Sequence, residues 1–133
     1  MTVSVIIPTQ NPHAGRLART LRAVRNQTLP AADWETLLVD NASTPSLRLA
    51  DWTPHGPPNL RLVPEPVPGL SHARRRGFQT ATGDIIVLVD DDNELAPDYL
   101  AEVVRLCAAH PRVGTLGGRI APEFEQAPEP WVR

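Results

Sequence analysis

Five consecutive β-favouring apolar residues, Ile85-Ile86-Val87-Leu88-Val89, run without a spacer into Asp90-Asp91-Asp92-Asn93. An uninterrupted apolar run of that length reads as a strand buried on both faces, as in a parallel sheet covered by helices. Ligands of open parallel sheets collect beyond the carboxyl ends of the strands, so the three aspartates fall where such a fold does its chemistry. Adjacent carboxylates repel; a pair about 4 Å apart at an effective dielectric near 20 costs roughly 4 kcal/mol before screening. A hard divalent cation with oxygen ligands removes that cost, and such a cation commonly arrives with substrate phosphates. The competing reading is a solvated acidic turn whose side chains cap the following helix.

The whole chain bounds the answer further. Its 133 residues suit one domain with a sizeable core. The hydrophobic fraction of 41% and charged fraction of 21% are those of a soluble globular protein. No apolar run approaches the ~20 residues that span a bilayer, and the polar start Met1-Thr2-Val3-Ser4 does not resemble a signal peptide. A net charge of -2 gives no reason to expect nucleic acid as a partner. Cys107 is the only cysteine, so no internal disulfide forms, which is compatible with a reducing cytosol.

Along the chain, Val3 to Ile7 forms a first strand stopped by Pro8, and Thr9-Gln10-Asn11-Pro12-His13 is the loop at its carboxyl end. A helix is expected from about Arg16 to Asn26, with Leu17, Leu21 and Val24 as its apolar stripe and Arg16, Arg19, Arg22 and Arg25 as a solvated face. Glu35 to Val39 makes a second strand ending in Asp40-Asn41-Ala42-Ser43, which completes a βαβ unit. A short helix at Leu47–Trp52, a rigid proline connector and a third strand at Leu60–Val63 follow. Pro64, Pro66 and Pro68 argue against regular pairing beyond that point.

Ser71 is the expected N-cap of a helix to about Ala81, closed by Thr82-Gly83. After the aspartates, Pro97 suits a first helical turn, and Leu100, Val103, Val104 and Cys107 recur at helical spacing, which makes Cys107 a core residue rather than a nucleophile. Val113 to Ile120 reads as a last strand loosened by glycines. Residues 121–133 form a proline-rich acidic tail, and nothing in them closes the fold, so the chain reads as truncated within a larger protein.

Three loops follow strands: Pro8-Thr9-Gln10-Asn11, Asp40-Asn41-Ala42-Ser43 and Asp90-Asp91-Asp92. Together they resemble the nucleotide-sugar half of the inverting glycosyltransferases of family 2, which have the GT-A fold. The pattern V-S-V-I-I-P-T-x-N is matched by Val3 to Asn11, with Gln10 where an aromatic is usual. Val39 to Ser43 matches V-D-[DN]-x-S. Gly69, Ala73-Arg74 and Gly77 fit G-x-x-x-A-R-x-x-G, and Ala81 to Asp84 fits A-x-G-D. Asp90-Asp91-Asp92 lies in register with D-x-D. The fold class this implies is α/β, a Rossmann-like, mostly parallel sheet flanked by helices, with residues 1–120 as the nucleotide-sugar-binding subdomain.

The resemblance also implies roles. Pro8, Thr9 and Asn11 would line the nucleoside site, Asp40 would anchor its loop or touch the base, and Asp90 and Asp91 would address the ribose. Asn41 stands where many members carry an aspartate that faces the base; its carbonyl would still accept the base N–H. Arg74 would lie near the base or the phosphates. Asp92 would bind Mn²⁺ or Mg²⁺, the cation that bridges the diphosphate and, as a Lewis acid, stabilises the leaving group. Partners would be a nucleoside-diphosphate sugar and a saccharide or other hydroxyl acceptor. The general base would come from beyond Arg133, since Glu123, Glu125 and Glu129 lie too early and in too irregular a context. Family members often build cell-surface polysaccharides at the cytoplasmic side of a membrane, so membrane association would come through other parts of the protein. Two rivals remain at this level: a nucleotidyltransferase, whose glycine- and arginine-rich phosphate loop Pro8 to Pro12 lacks, and a nucleotide-binding module without turnover.

Overall fold

A computed structural model describes residues 1–132. The elements in chain order are β1 (Val3–Thr9), α1 (Ala14–Arg25), a 3-10 turn (Ala31–Asp33), β2 (Trp34–Asn41), α2 (Leu49–Trp52), β3 (Leu60–Glu65), α3 (Leu70–Thr80), β4 (Ile85–Leu88) and α4 (Tyr99–Ala109), with a second 3-10 turn at Pro130–Val132. The four strands form one parallel sheet in the order β3-β2-β1-β4. The α/β reading therefore holds, and every strand opens its carboxyl end on the same edge. The chain steps outward from β1 to β3 and then returns to the other side of β1. That reversal puts a crevice between the tips of β1 and β4, where sheets of this kind take their ligands.

Two apolar layers hold the sheet. On one face α1 lays Leu17, Leu21 and Val24, all fully buried, against Val3, Val5, Ile7 and Leu38, with Leu100 of α4 beside them. Each such side chain contributes about 1.5–3 kcal/mol on leaving water. On the other face α3 presents Ala73 to Ile6, Leu37, Val39 and Val63. Gln27 joins α1 to α4 within the first layer: its Oε1 accepts from Leu100 N at 2.9 Å and its Nε2 donates to Ala96 O at 2.8 Å, which caps the start of α4.

Several expectations are corrected. β4 is an edge strand of this sheet, and only one of its faces is covered: Val87 and Val89 are buried, whereas Ile86 and Leu88 remain 41% and 44% exposed. In register with Ser4 and Ile6 they lie on the α3 side of the sheet, where α3 sits over β1, β2 and β3. Pro8 does not end β1; the strand runs on to Thr9, with Pro8 opposite Val39. Ile6 O still accepts from Val89 N at 3.0 Å, so the backbone of Pro8, two residues on, faces the side where β4 has already turned away. Its missing N–H costs no ladder bond there. Pro64 likewise lies within β3, opposite Asp40, as an outer strand allows.

The helix starts also shift. His13 rather than a residue near Arg16 caps α1, its Nδ1 accepting from Arg16 N at 3.3 Å. Gly69, at φ 132°, precedes α3 in place of Ser71; the left-handed backbone there suits a residue without Cβ. Pro97 lies ahead of α4, whose cap residue is Asp98. Residues 113–120 form no strand: they are exposed and pair with nothing in the sheet, and around Gly114 and Gly117 there is open space. Cys107, expected in the core, is only half-buried, and of its helix Leu100, Tyr99, Val103 and Val104 make the core contacts instead.

Candidate functional site

The tips of β1 and β2 are tied together before any ligand is considered. Asn11, at φ 46°, donates its backbone N–H to Ser43 Oγ at 2.9 Å, and its Oδ1 accepts from Thr44 N at 2.8 Å. Asp40 is buried and anchors the next turn, accepting from Ser43 N at 3.2 Å and from Leu47 N at 2.9 Å. Both carboxylate oxygens of Asp40 are thus engaged with backbone, which fixes the loop wall beside Thr9. Pro8 and Thr9 are buried at the floor of the crevice.

Asp90, Asp91 and Asp92 do not share one environment. Asp91 accepts a 2.5 Å hydrogen bond from the Thr9 hydroxyl, which among the described residues is the one side-chain bond that crosses the crevice from β1 to the loop after β4. Asp90 is exposed and lies 3.8 Å from the Arg74 guanidinium of α3. Asp92 is exposed, on the side facing Arg16 of α1, whose guanidinium is raised above its ordinary value first by the hydrogen bond to Glu125 and in smaller part by the Asp92 charge. The three carboxylates thus have different neighbours, a hydroxyl for Asp91 and guanidinium groups for Asp90 and Asp92. Among the described residues no three acidic, histidine or cysteine side chains converge as a ready metal cage.

Asn41 is engaged by the turn between β3 and α3. It is buried; its Nδ2 donates to Glu65 O at 3.2 Å and to Val67 O at 2.7 Å, and its Oδ1 accepts from Gly69 N at 2.8 Å. Arg74 is partly exposed, and its Nε is buried with no hydrogen-bond partner among the described residues. Arg75 is solvated, while Arg76 pairs with Glu65 at 3.1 Å.

The arginines of α1 are not merely a solvated face. Arg16 Nε and Nη2 donate to the two oxygens of Glu125 at 2.9 and 3.1 Å, and Arg19 donates to Glu125 at 3.1 Å and pairs with Glu94 at 3.0 Å. The tail is thereby strapped across the start of α1, a contact no local pattern announces. These hydrogen bonds, from Arg16 first and Arg19 second, pull the Glu125 carboxyl down to about 2. A depressed folded value means that the link is complete at ordinary pH and is lost as pH falls through that value. We expect a carboxyl-carbon NMR titration to place Glu125 near 2, and Arg16→Ala to return it toward the ordinary glutamate value. Such exposed pairs add little to stability.

Two shallow concavities, of about 490 and 430 Å³, lie elsewhere, one at Ala109–Val113 and one between α1 and the Glu94–Pro97 loop. The crevice is instead an open sheet edge. No described helix is long and apolar enough to cross a membrane.

The model of a family described as glycosyl transferase family 2 matches residues 4–133. Among curated proteins, the glycosyltransferase YibD of Escherichia coli K12 is 36% identical over 97 residues, which is 71% of this chain and 27% of YibD. Among solved structures, TarS 1-349 of S. aureus in complex with UDP superposes with a TM-score of 0.72 at 22% identity, over 95% of this chain and 40% of that one. The likeness to TarS shows the fold. The mannosyltransferase PcManGT of Pyrobaculum calidifontis, in complex with GDP-Man and Mn2+, superposes with a TM-score of 0.66 at 33% identity, over 80% of this chain and 32% of that one. The chain thus spans between 27% and 40% of these three proteins.

Proposed function

This chain belongs to glycosyl transferase family 2, and from that premise we propose that it holds the donor side of a glycosyl transfer from a nucleoside-diphosphate sugar to an acceptor hydroxyl. The observation that carries the reading is the Thr9–Asp91 bond across the switch-point crevice, with Asp90 and Asp92 on either side of it. Thr9, Asp90 and Asp91 hold the ribose, and Pro8, Asn11 and Asp40 fix the loops that wall the nucleoside. Arg74 supplies the positive charge that suits a diphosphate oxygen. Support comes from relatives solved with UDP and with GDP-Man and Mn2+.

Asp92 is the residue that would hold Mn²⁺ or Mg²⁺, as an exposed carboxylate that leaves the cation free to take phosphate oxygens. When bound, the cation supplies Lewis-acid stabilisation of the departing diphosphate. An inverting displacement also needs a base within hydrogen-bond reach of the acceptor hydroxyl. Glu125 is unsuited to that task, since a carboxyl near 2 that is bound to two arginines takes up a proton poorly. We therefore assign the base to a carboxylate outside residues 1–133. Calorimetry of UDP, GDP and dTDP with and without Mn²⁺ tests the reading. At least one nucleotide binds only with metal present, and Asp92→Ala weakens that binding at least tenfold, about 1.4 kcal/mol. Failure of all three nucleotides with metal present overturns it.

A further inference from the structure

We propose that Asn41 is a positioning residue that holds the loop of residues 65–69 in the shape that aims α3, and with it Arg74, at the crevice, and that it does not read the base. The inference rests on the donor-site reading above and assigns this position a different task within it. The amide offers two donors and one acceptor oxygen, and the structure uses all three functions. Nδ2 faces two carbonyls, Glu65 O at 3.2 Å and Val67 O at 2.7 Å, and Oδ1 faces one N–H, Gly69 N at 2.8 Å. Carbonyls can only accept and an N–H can only donate, so this partner set fixes the orientation of the amide and admits no flip.

The three bonds span the whole turn between β3 and α3. The Glu65 side chain closes the same turn from within, accepting from Val67 N at 2.9 Å. Gly69 lies at φ 132°, and its carbonyl accepts from Ala73 N at 3.1 Å to begin α3. Arg74 follows Ala73 directly, with its guanidinium 3.8 Å from Asp90 and its buried Nε unpartnered among the described residues. The path from Asn41 to Arg74 is therefore three hydrogen bonds, one left-handed glycine and a single helical turn. An aspartate at position 41 would set carboxylate oxygens against the two carbonyls that now accept from Nδ2. It would repel them, and the turn would have to rebuild. At this position asparagine and aspartate are thus not interchangeable, although they share a shape.

The test compares Asn41→Asp and Asn41→Ala with the parent chain by amide hydrogen exchange and by Mn²⁺-dependent binding of UDP and GDP. The expected result has three parts. Exchange at the Gly69 amide quickens at least tenfold in both variants while the β2 amides keep their protection, which shows that the fold survives. UDP and GDP weaken by the same factor, about tenfold. Adding Arg74→Ala to Asn41→Ala costs less than a further twofold, because the guanidinium has already lost its aim. The proposal is overturned if Asn41→Asp changes the UDP-to-GDP ratio tenfold, or if Gly69 stays protected in both variants. Should the parent chain bind neither nucleotide, the donor reading fails on its own. The Arg74 Nε–H resonance then still decides the positioning role: a shift in Asn41→Ala supports it, and an unmoved signal overturns it.

Discussion

Glu35→Ala is expected to cost roughly 4 kcal/mol of folding stability, a large share of the 5–15 kcal/mol that holds a domain folded. Glu35 lies near the amino end of β2, with only 17% of its side chain exposed. Its Oε1 accepts from Ser4 Oγ at 2.7 Å, from Thr82 N at 2.7 Å and from Thr82 Oγ1 at 2.8 Å, while Oε2 accepts from Arg61 at 3.0 Å. Ser4 Oγ in turn accepts from Gly83 N at 2.8 Å. One carboxylate thus joins β1, β2, β3 and the turn into β4. Hydrogen bonds to a charged group contribute about 1.5–3 kcal/mol each, and removing one partner strands the others. The full sum is not reached, because Thr82 is exposed and turns to water. Urea unfolding with an unchanged m-value measures the loss, and Glu35→Gln, which keeps an acceptor oxygen, loses about half as much.

The pH dependence follows from the same residue. Burial alone would raise the Glu35 carboxyl, but the hydrogen bonds from Ser4, Thr82 and Arg61 outweigh it and hold the group below its ordinary value of 4.5. The stabilisation is complete above that value and drains away as pH falls through the lower, folded one. Stability should accordingly fall more steeply with acid in the parent chain than in Glu35→Gln, which takes up no proton at this position and should flatten the transition.

The second large effect is expected at Gly77→Val, about 3 kcal/mol. α3 lies against the sheet at glycine distance: a Cβ at residue 77 would fall 2.5 Å from Ile6 Cγ2 and 3.1 Å from its Cδ1. Ile6 is fully buried in β1 between β2 and β4 and has no room to retreat. Overpacking of a filled core costs about 1–3 kcal/mol, and a β-branched residue adds two further methyls to the collision. Any relief would come from lifting α3 off the sheet, which would also carry Arg74 away from Asp90. Thermal unfolding reports the first consequence. The separation of Arg74 from Asp90, read in the parent and variant by NMR, reports the second.

Much of this architecture is legible in the amino-acid sequence. Ile85 to Val89 announces a parallel strand because its apolar run is continuous, Val3 to Ile7 and Glu35 to Val39 read as strands that end in turn-forming residues, and the stripe of Leu17, Leu21 and Val24 announces α1 because its spacing is helical. The three loops were found because each follows a strand, and parallel strands share an open edge. What stayed hidden depends on contacts between distant segments. The apolar run of β4 reports hydrophobicity on both sides, but not that α3 leans over its neighbours and leaves Ile86 and Leu88 half bare. Pro8 and Pro64 read as strand ends because a sequence does not say which backbone edge has lost its partner strand. Asn41 suggested a group facing a ligand, and the sequence gives no sign of its hydrogen bonds to the carbonyls of Glu65 and Val67, 24 and 26 residues away. Glu125 gave no signal at all, since its partners on α1 lie more than a hundred residues earlier.

The Glu35 knot and the aspartate tips occupy opposite poles of the sheet. β1 runs seven residues between them, a separation of roughly 20 Å at the usual rise of a strand. Effects at such a distance add almost independently. Damage at one pole should therefore lower how much protein accumulates while sparing its ligand handling, and damage at the other should do the reverse. Evolution, like a mutagenesis campaign, can tune durability and chemistry here as two separate dials.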